Sequence, residues 1–212
     1  MRFIGFNDWL NESISDNITI LFPGGFKPIT GAHIDLIKRY LAHPNVKEVK
    51  VLIGPGIRNG IGQELALKIA KELLQPFDRV SIEAVNYPSP ILASYKYMET
   101  AEPGTYALAA SKKSNGEDYK RVLKFVKDFQ PDGKYVKTLP NDVKAIELSV
   151  DAEPLIYKGR TDEFDRMPIS ASILRRDVLN NDYENFKTNY PGYSEKDIKK
   201  IWNLLKLNVT EE

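Results

Sequence analysis

The sequence contains no cysteine and only two histidines, His33 and His43. The first absence excludes disulfides, thiolate nucleophiles and cysteine-based zinc sites, and the second leaves no set of imidazoles for a multi-histidine metal centre. An excess of charge of one sign is also missing. Lys plus Arg number 30 and Asp plus Glu 29, a formal net charge of +1, so global electrostatics make no case for a nucleic-acid or membrane surface. Any anion site has to be local. No apolar run approaches the ~20 residues a membrane helix needs. In the opening stretch MRFIGFNDWLNES, Asn7, Asp8 and Asn11 interrupt any apolar core, so it does not read as a secretory signal. The expectation is a cytoplasmic protein.

What is present is an ordinary globular composition. The 212 residues are 42% hydrophobic and 28% charged, enough to bury one substantial core and short enough for one domain. Residues 1–16 read as an amphipathic leader or short helix, and 17–212 as a single domain. Its first strand lies near 18–22, followed by a helix over about 31–42 with Ile34, Ile37, Tyr40 and Leu41 at helical spacing. A second strand falls in 48–56, a helix in 63–75, a strand in 79–85 and a helix in 89–100 with Pro90 in its first turn. A short apolar strand in 105–111 and a helix in 116–129 follow. Alternation of this kind predicts an α/β fold: a Rossmann-like open parallel sheet of about five strands, with helices on both faces and a C-terminal helical segment. Beyond 130, KYVKTL and VKAIELSV read as strands, partly antiparallel, and SASILRRDVLNN and SEKDIKKIWNLLKL as helices.

The stretch LFPGGFKPITGAH, residues 21–33, offers a candidate anion cradle. A buried strand breaks into Pro23, Gly24 and Gly25, where missing Cβ atoms let backbone approach a ligand. Thr30 stands at the N-cap position of the next helix and His33 in its first turn. Helix N-termini present unpaired N–H groups and a positive dipole end that suit phosphate, and open α/β sheets bind ligands at the carboxyl ends of their strands. A tight turn, a simple Thr30 cap and a half-buried His33 fit the same residues.

The stretch GGFKPITGAH resembles the signature of the nucleotidyltransferase superfamily, Gly-x-Phe-x-Pro-x-(His/Thr)-x-Gly-His. Phe26, Pro28, Thr30 and His33 match, while Ala32 stands at the usual glycine and Lys27 at the usual Asp, Asn or Gln. The superfamily carries a second signature, Ile-Ser-x-(Ser/Thr)-x-x-Arg, which is similar to Ile169-Ser170-Ala171-Ser172-Ile173-Leu174-Arg175. Ser170 suits an N-cap, and Ser172 and Arg175, three residues apart, share a helical face. Between them, RNGIGQELALKIAKELL resembles an Arg-Asp-Gly-Ile stretch of bacterial and phage relatives, and SKKSNGEDYKR a segment that lies near the nucleotide in relatives. His43, ahead of Pro44, reads as structural, at a helix C-terminus. A class I aminoacyl-tRNA synthetase shares the first signature type, but the chain lacks a Lys-Met-Ser-Lys-Ser loop.

The resemblance implies transfer of a nucleoside monophosphate from ATP or CTP to a phosphate-bearing acceptor, with release of pyrophosphate. It implies catalytic roles for His33, Thr30, Lys27, Ser172 and Arg175, with Lys27 as a mobile charge near the α-phosphate and Thr30 on a phosphate oxygen. Pro23, Gly24, Gly25, Phe26, Ile169 and Ser170 would bind the nucleotide. Arg58 and Lys112 (or Lys113) would reach the acceptor. Mg²⁺ would ride in on the triphosphate, with no protein metal ligand assigned. The partners implied are a nucleoside triphosphate and a small phosphorylated acceptor, with no nucleic acid and no membrane; the base, the acceptor and homo-oligomerisation stay open. Two alternatives keep the fold without the reaction: a non-catalytic nucleotide-binding protein, and a phage accessory protein, since FNDWLNE resembles leaders of tailed-phage proteins.

Overall fold

The computed structural model describes residues 17–110, 117–148, 150, 160, 163 and 167–210. The leader expected over 1–16, and Lys112 and Lys113, lie outside the described residues. Strands β1 (Ile18–Gly24), β2 (Val46–Ile53), β3 (Val80–Ala84), β4 (Gly104–Leu108) and β5 (Val143–Ile146) form one sheet in the order β3-β2-β1-β4-β5. Every neighbouring pair is parallel. Helices α1 (Gly31–Ala42), α2 (Gln63–Leu74), α3 (Pro90–Glu99) and α4 (Glu117–Asp128) connect successive strands, and α5 (Ala171–Leu179), α6 (Tyr183–Thr188) and α7 (Glu195–Lys206) follow β5. Among the described residues no helix is long and apolar enough to cross a membrane.

Both faces of the sheet are covered, as the strands' apolar content requires. Ile18, Ile20 and Phe22 of β1 point into one core with Ile34 and Ile37 of α1, Ile69 and Leu73 of α2, and Leu174, Phe186 and Ile201 from α5, α6 and α7. Leu21 points the other way, into a second cluster with Tyr95 and Met98 of α3 and Val122 and Phe125 of α4. The period-2 alternation of a strand thus divides β1 between two cores. The α/β architecture, the sheet of five strands and the helices on both faces agree with the expectation from sequence.

Two expectations change. KYVKTL is not a strand: Val136–Thr138 is a 3₁₀ turn. Tyr135 beside it packs edge-on to Tyr95, with ring centroids 5.1 Å apart, so local aromatic packing prevails over β-propensity. The segment Val143–Ile146 is a strand, but it pairs parallel to β4, because α4 crosses over the sheet before the chain returns. The short helix α6 carries no expectation from sequence. Asp182 caps it, accepting from the Asn185 N–H at 3.0 Å.

Among the tyrosine hydroxyls that the fold keeps protonated, six owe it chiefly to burial. Burial is the first cause at each: Tyr40, Tyr95 and Tyr190 are raised above the ordinary 10.0, and Tyr106, Tyr183 and Tyr193 are each pushed up to about 12. A raised tyrosine pKa means that the folded chain holds the proton more tightly than the unfolded chain. The resulting stability is complete below about pH 10 and is lost as pH climbs from there toward 12. The midpoint of urea unfolding should therefore hold steady between about pH 8 and pH 9 and fall clearly by about pH 11.

Candidate active site

The sheet order reverses direction between β1 and β4: α1 leads from β1 toward β2, and α3 carries the chain back across to β4. Open α/β sheets bind ligands at this switch point, beyond the carboxyl ends of the strands. A cavity of about 210 Å³ opens there. Its walls are the end of β1 and the following loop (Phe22 to Phe26), His33 of α1, Ile91 of α3, the end of β4 and the residues after it (Leu108 to Ala110), and Asp118 and Arg121 of α4. Asp118 and Arg121 form an ion pair at 2.8 Å; only their placement at the start of α4 could have marked them in the sequence.

The loop after β1 is shaped by aromatic packing. Phe26 has φ 48°, a backbone region that bulky side chains rarely enter, at a cost of about 1–3 kcal/mol. Its ring is 5% exposed and meets Phe22 and His33 edge-on, with centroids 5.1 Å apart in each case. Gly24 makes this possible: a Cβ there would stand 2.6 Å from the Phe26 ring. At Gly25 a Cβ would meet nothing within 4 Å, so its position faces open space on the cavity wall. Gly24→Ala should therefore displace the Phe26 ring and destabilise the fold by about 1–3 kcal/mol, the cost of overpacking. Urea unfolding of the variant beside wild type checks this.

Thr30 and His33 form a reciprocal cap on α1. The Thr30 hydroxyl accepts from the His33 N–H at 3.4 Å, and the Thr30 N–H donates to Nδ1 of His33 at 3.0 Å. A backbone N–H can only donate, so Nδ1 is an acceptor and the neutral ring carries its proton on Nε2. Thr30 is fully buried. Its hydroxyl, also 2.9 Å from Nδ1, faces His33 and does not line the cavity, which departs from the expectation that it meets a phosphate oxygen.

Lys27 departs further from its sequence expectation. It is not mobile: it is 6% exposed, and its ammonium donates to the carbonyls of Gly25 and Gly54, each at 3.0 Å. Burial lowers its pKa below 10.5. Lys27 thereby ties the loop after β1 to the end of β2, where Gly54 also donates its N–H to the Gly24 carbonyl at 2.9 Å.

The second motif converges on the first. Ser170 caps α5, accepting from the Ile173 N–H at 3.4 Å, and Ser170 and Ser172 pair through their hydroxyls at 2.8 Å. Ile169 is 1% exposed and anchors this helix start in the main core. From α5, Arg175 reaches back. Its Nη1 donates to the Lys27 carbonyl at 2.6 Å and its Nε to Oδ1 of Asn59 at 2.7 Å. Ser172 is exposed. Arg58 is exposed at the base of a two-residue turn whose ends pair Arg58 with Ile61, outside the cavity wall. Lys112 lies outside the described residues. Asn59 carried no expectation, although Asn-Gly between pairing residues is a strong turn signal.

No family model and no curated protein matches the chain. Solved structures do. Plasmodium falciparum nicotinic acid mononucleotide adenylyltransferase complexed with APC superposes with a TM-score of 0.53 at 16% identity, over 91% of this chain and 98% of that one. The same Plasmodium falciparum protein complexed with NaAD superposes with a TM-score of 0.50 at 18% identity, over the same 91% and 98%. At such identities the likeness shows the fold, and it extends along nearly the whole of both chains.

Proposed function

We propose that this chain is a nucleotidyltransferase that moves a nucleoside monophosphate from a triphosphate to a phosphate-bearing acceptor and releases pyrophosphate. The observation that carries the proposal is the contact between two motifs nearly 150 residues apart: the Arg175 guanidinium lies 2.6 Å from the Lys27 carbonyl. That bond fastens α5 to the loop that leads into α1 and His33. The neighbours' names support ATP as the triphosphate and a mononucleotide as the acceptor to try first. CTP and other phosphorylated acceptors remain within the proposal.

In this reaction an acceptor phosphate oxygen attacks the α-phosphorus in line, and the bond from that phosphorus to the bridging oxygen of the leaving pyrophosphate breaks. No enzyme nucleophile is needed, so the protein's work is positioning and charge stabilisation. Nε2–H of His33 donates to the oxygen on which charge grows, held in place by Thr30. The first N–H groups of α1 and α5 face the phosphates. Arg175, which donates to the Lys27 carbonyl and to Asn59, holds the leaving end with the guanidinium's charge. Ser172 stands at the rim of the same helix start. Lys27 acts through the loop it fastens.

Among the described residues no group of three or more His, Asp or Glu side chains could hold a metal ion, and Asp118 is the carboxylate on the cavity wall. This donor set suits a magnesium ion held chiefly by phosphates, to which Asp118 would be the protein's carboxylate donor and which when bound would spread their negative charge. The test is pyrophosphate release from ATP and CTP, each paired with nicotinic acid mononucleotide and a panel of phosphorylated alcohols. Turnover with one pair is the expected result. Triphosphate binding without release from any pair would instead make this a nucleotide-binding protein without the reaction.

A further inference from the structure

The turn that holds Arg175 is itself held by a distant part of the chain. Asn59 and Gly60 have φ 47° and 76°, the pair of left-handed residues that a tight two-residue turn between Arg58 and Ile61 requires. Asn59 sits at the crossing of two contacts. Its Oδ1 accepts from Nε of Arg175 at 2.7 Å, and its Nδ2 donates to the Thr210 carbonyl at 3.2 Å. The amide orientation follows from the chemistry, because a guanidinium only donates and a carbonyl only accepts. The backbone repeats the attachment: the Thr210 N–H donates to the Asn59 carbonyl at 3.2 Å. Gly60 admits this close approach, since a Cβ there would collide with the Asn208 carbonyl oxygen.

The guanidinium of Arg175 is therefore fixed from two loops, by the Lys27 carbonyl after β1 and by Asn59 after β2. We propose that Asn59, anchored by residues 208–210, is a positioning residue that sets the direction of the Arg175 guanidinium toward the leaving phosphates. This rests on the transferase function proposed above. It adds a role for a residue that lies off the cavity wall, and for a segment more than thirty residues beyond the second motif. An aspartate at 59 would keep the oxygen that Arg175 needs and lose the donor that Thr210 uses. Alanine would lose both.

The test follows the Nε–H resonance of Arg175 in nitrogen-15 spectra, alongside kcat and KM for pyrophosphate release. Asn59→Ala should broaden or shift that resonance and lower kcat by about 10-fold, the scale of a small misplacement of a catalytic group. The KM for the acceptor should stay near wild type. In an Arg175→Ala background the same substitution should change kcat no further, because the two act through one contact. Asn59→Asp should keep the resonance and most of the turnover, a rescue that a merely structural role would not give. Gly60→Ala should reproduce the loss seen with Asn59→Ala; wild-type turnover there would remove residues 208–210 from the proposal. An unchanged Nε–H resonance in Asn59→Ala overturns the proposal, and so does a lost resonance with wild-type kcat. If the wild-type chain releases no pyrophosphate from any pair, the transferase function fails separately. The affinity for ATP then decides the positioning claim: Asn59→Ala should weaken it, and an unchanged affinity overturns the claim.

Discussion

Replacing His33 with alanine should lower the rate of pyrophosphate release by at least ~100-fold, the scale of removing one oriented donor from a charged transition state. The expectation rests on orientation. The Thr30 N–H donates to Nδ1 at 3.0 Å, so the proton sits on Nε2, and the Phe26 ring stands edge-on to the imidazole at 88°. A ring fixed by a cap on one side and an aromatic face on the other needs no reorganisation when charge develops. Alanine also removes the acceptor for the Thr30 N–H and half of the capping box, which should cost about 0.5–2 kcal/mol of stability. His33→Asn separates the two effects. Its amide oxygen can accept from Thr30 where Nδ1 did, but nothing replaces Nε2–H. That variant should stay near wild-type stability and still lose turnover. A wild-type rate in either folded variant would remove His33 from the chemistry.

The largest stability effect is expected at Asp177→Ala, about 3–5 kcal/mol. Asp177 lies on α5, two residues past Arg175, and its side chain is 1% exposed. Both carboxylate oxygens meet the buried Arg160 guanidinium, at 2.8 and 3.0 Å. Arg176 adds a contact at 3.1 Å and Asn189 one at 3.3 Å. Truncation would strip this carboxylate from a guanidinium buried with it, and an uncompensated charge in a low-dielectric interior is costly. Urea unfolding should show the midpoint falling with little change in slope. Asp177→Asn should fall between wild type and alanine, since it keeps the shape and an acceptor while losing the charge. A midpoint within experimental error of wild type for Asp177→Ala would mean that the pair contributes no net stability.

The fold was legible because its determinants are periodic and local. The apolar run of β1 reads as a buried strand and the helical spacing in α1 states its own face, and Pro90 marked the start of α3. KYVKTL misled because its valine and tyrosine suit a strand in isolation, while the ring of Tyr135 has Tyr95 and Phe129 to pack on. Motif spacing located the starts of α1 and α5, and the bond from Arg175 to Lys27 brings the two motifs into contact. Side-chain direction was not legible. Lys27 looks from sequence like a free cation beside phosphate, and only the fold brings the Gly54 carbonyl within 3.0 Å of its ammonium. Asn59 and Asp177 escaped notice for the same reason: their partners, at Arg175 and Arg160, are fixed by tertiary placement and not by spacing.

The central place of β1 has a consequence for how this site responds to stress. β1 is paired along both flanks, with β2 and with β4, whereas β3 and β5 close the sheet with one flank each. Amide hydrogen exchange in such a sheet starts at the margins, and a doubly flanked strand releases its protons only through openings close to complete unfolding. The loop from Gly24 to Phe26 leaves directly from that best-protected strand. Mild denaturant can thus fray the rim of the sheet while the cavity wall formed by this loop stays assembled, a resilience conferred by strand order.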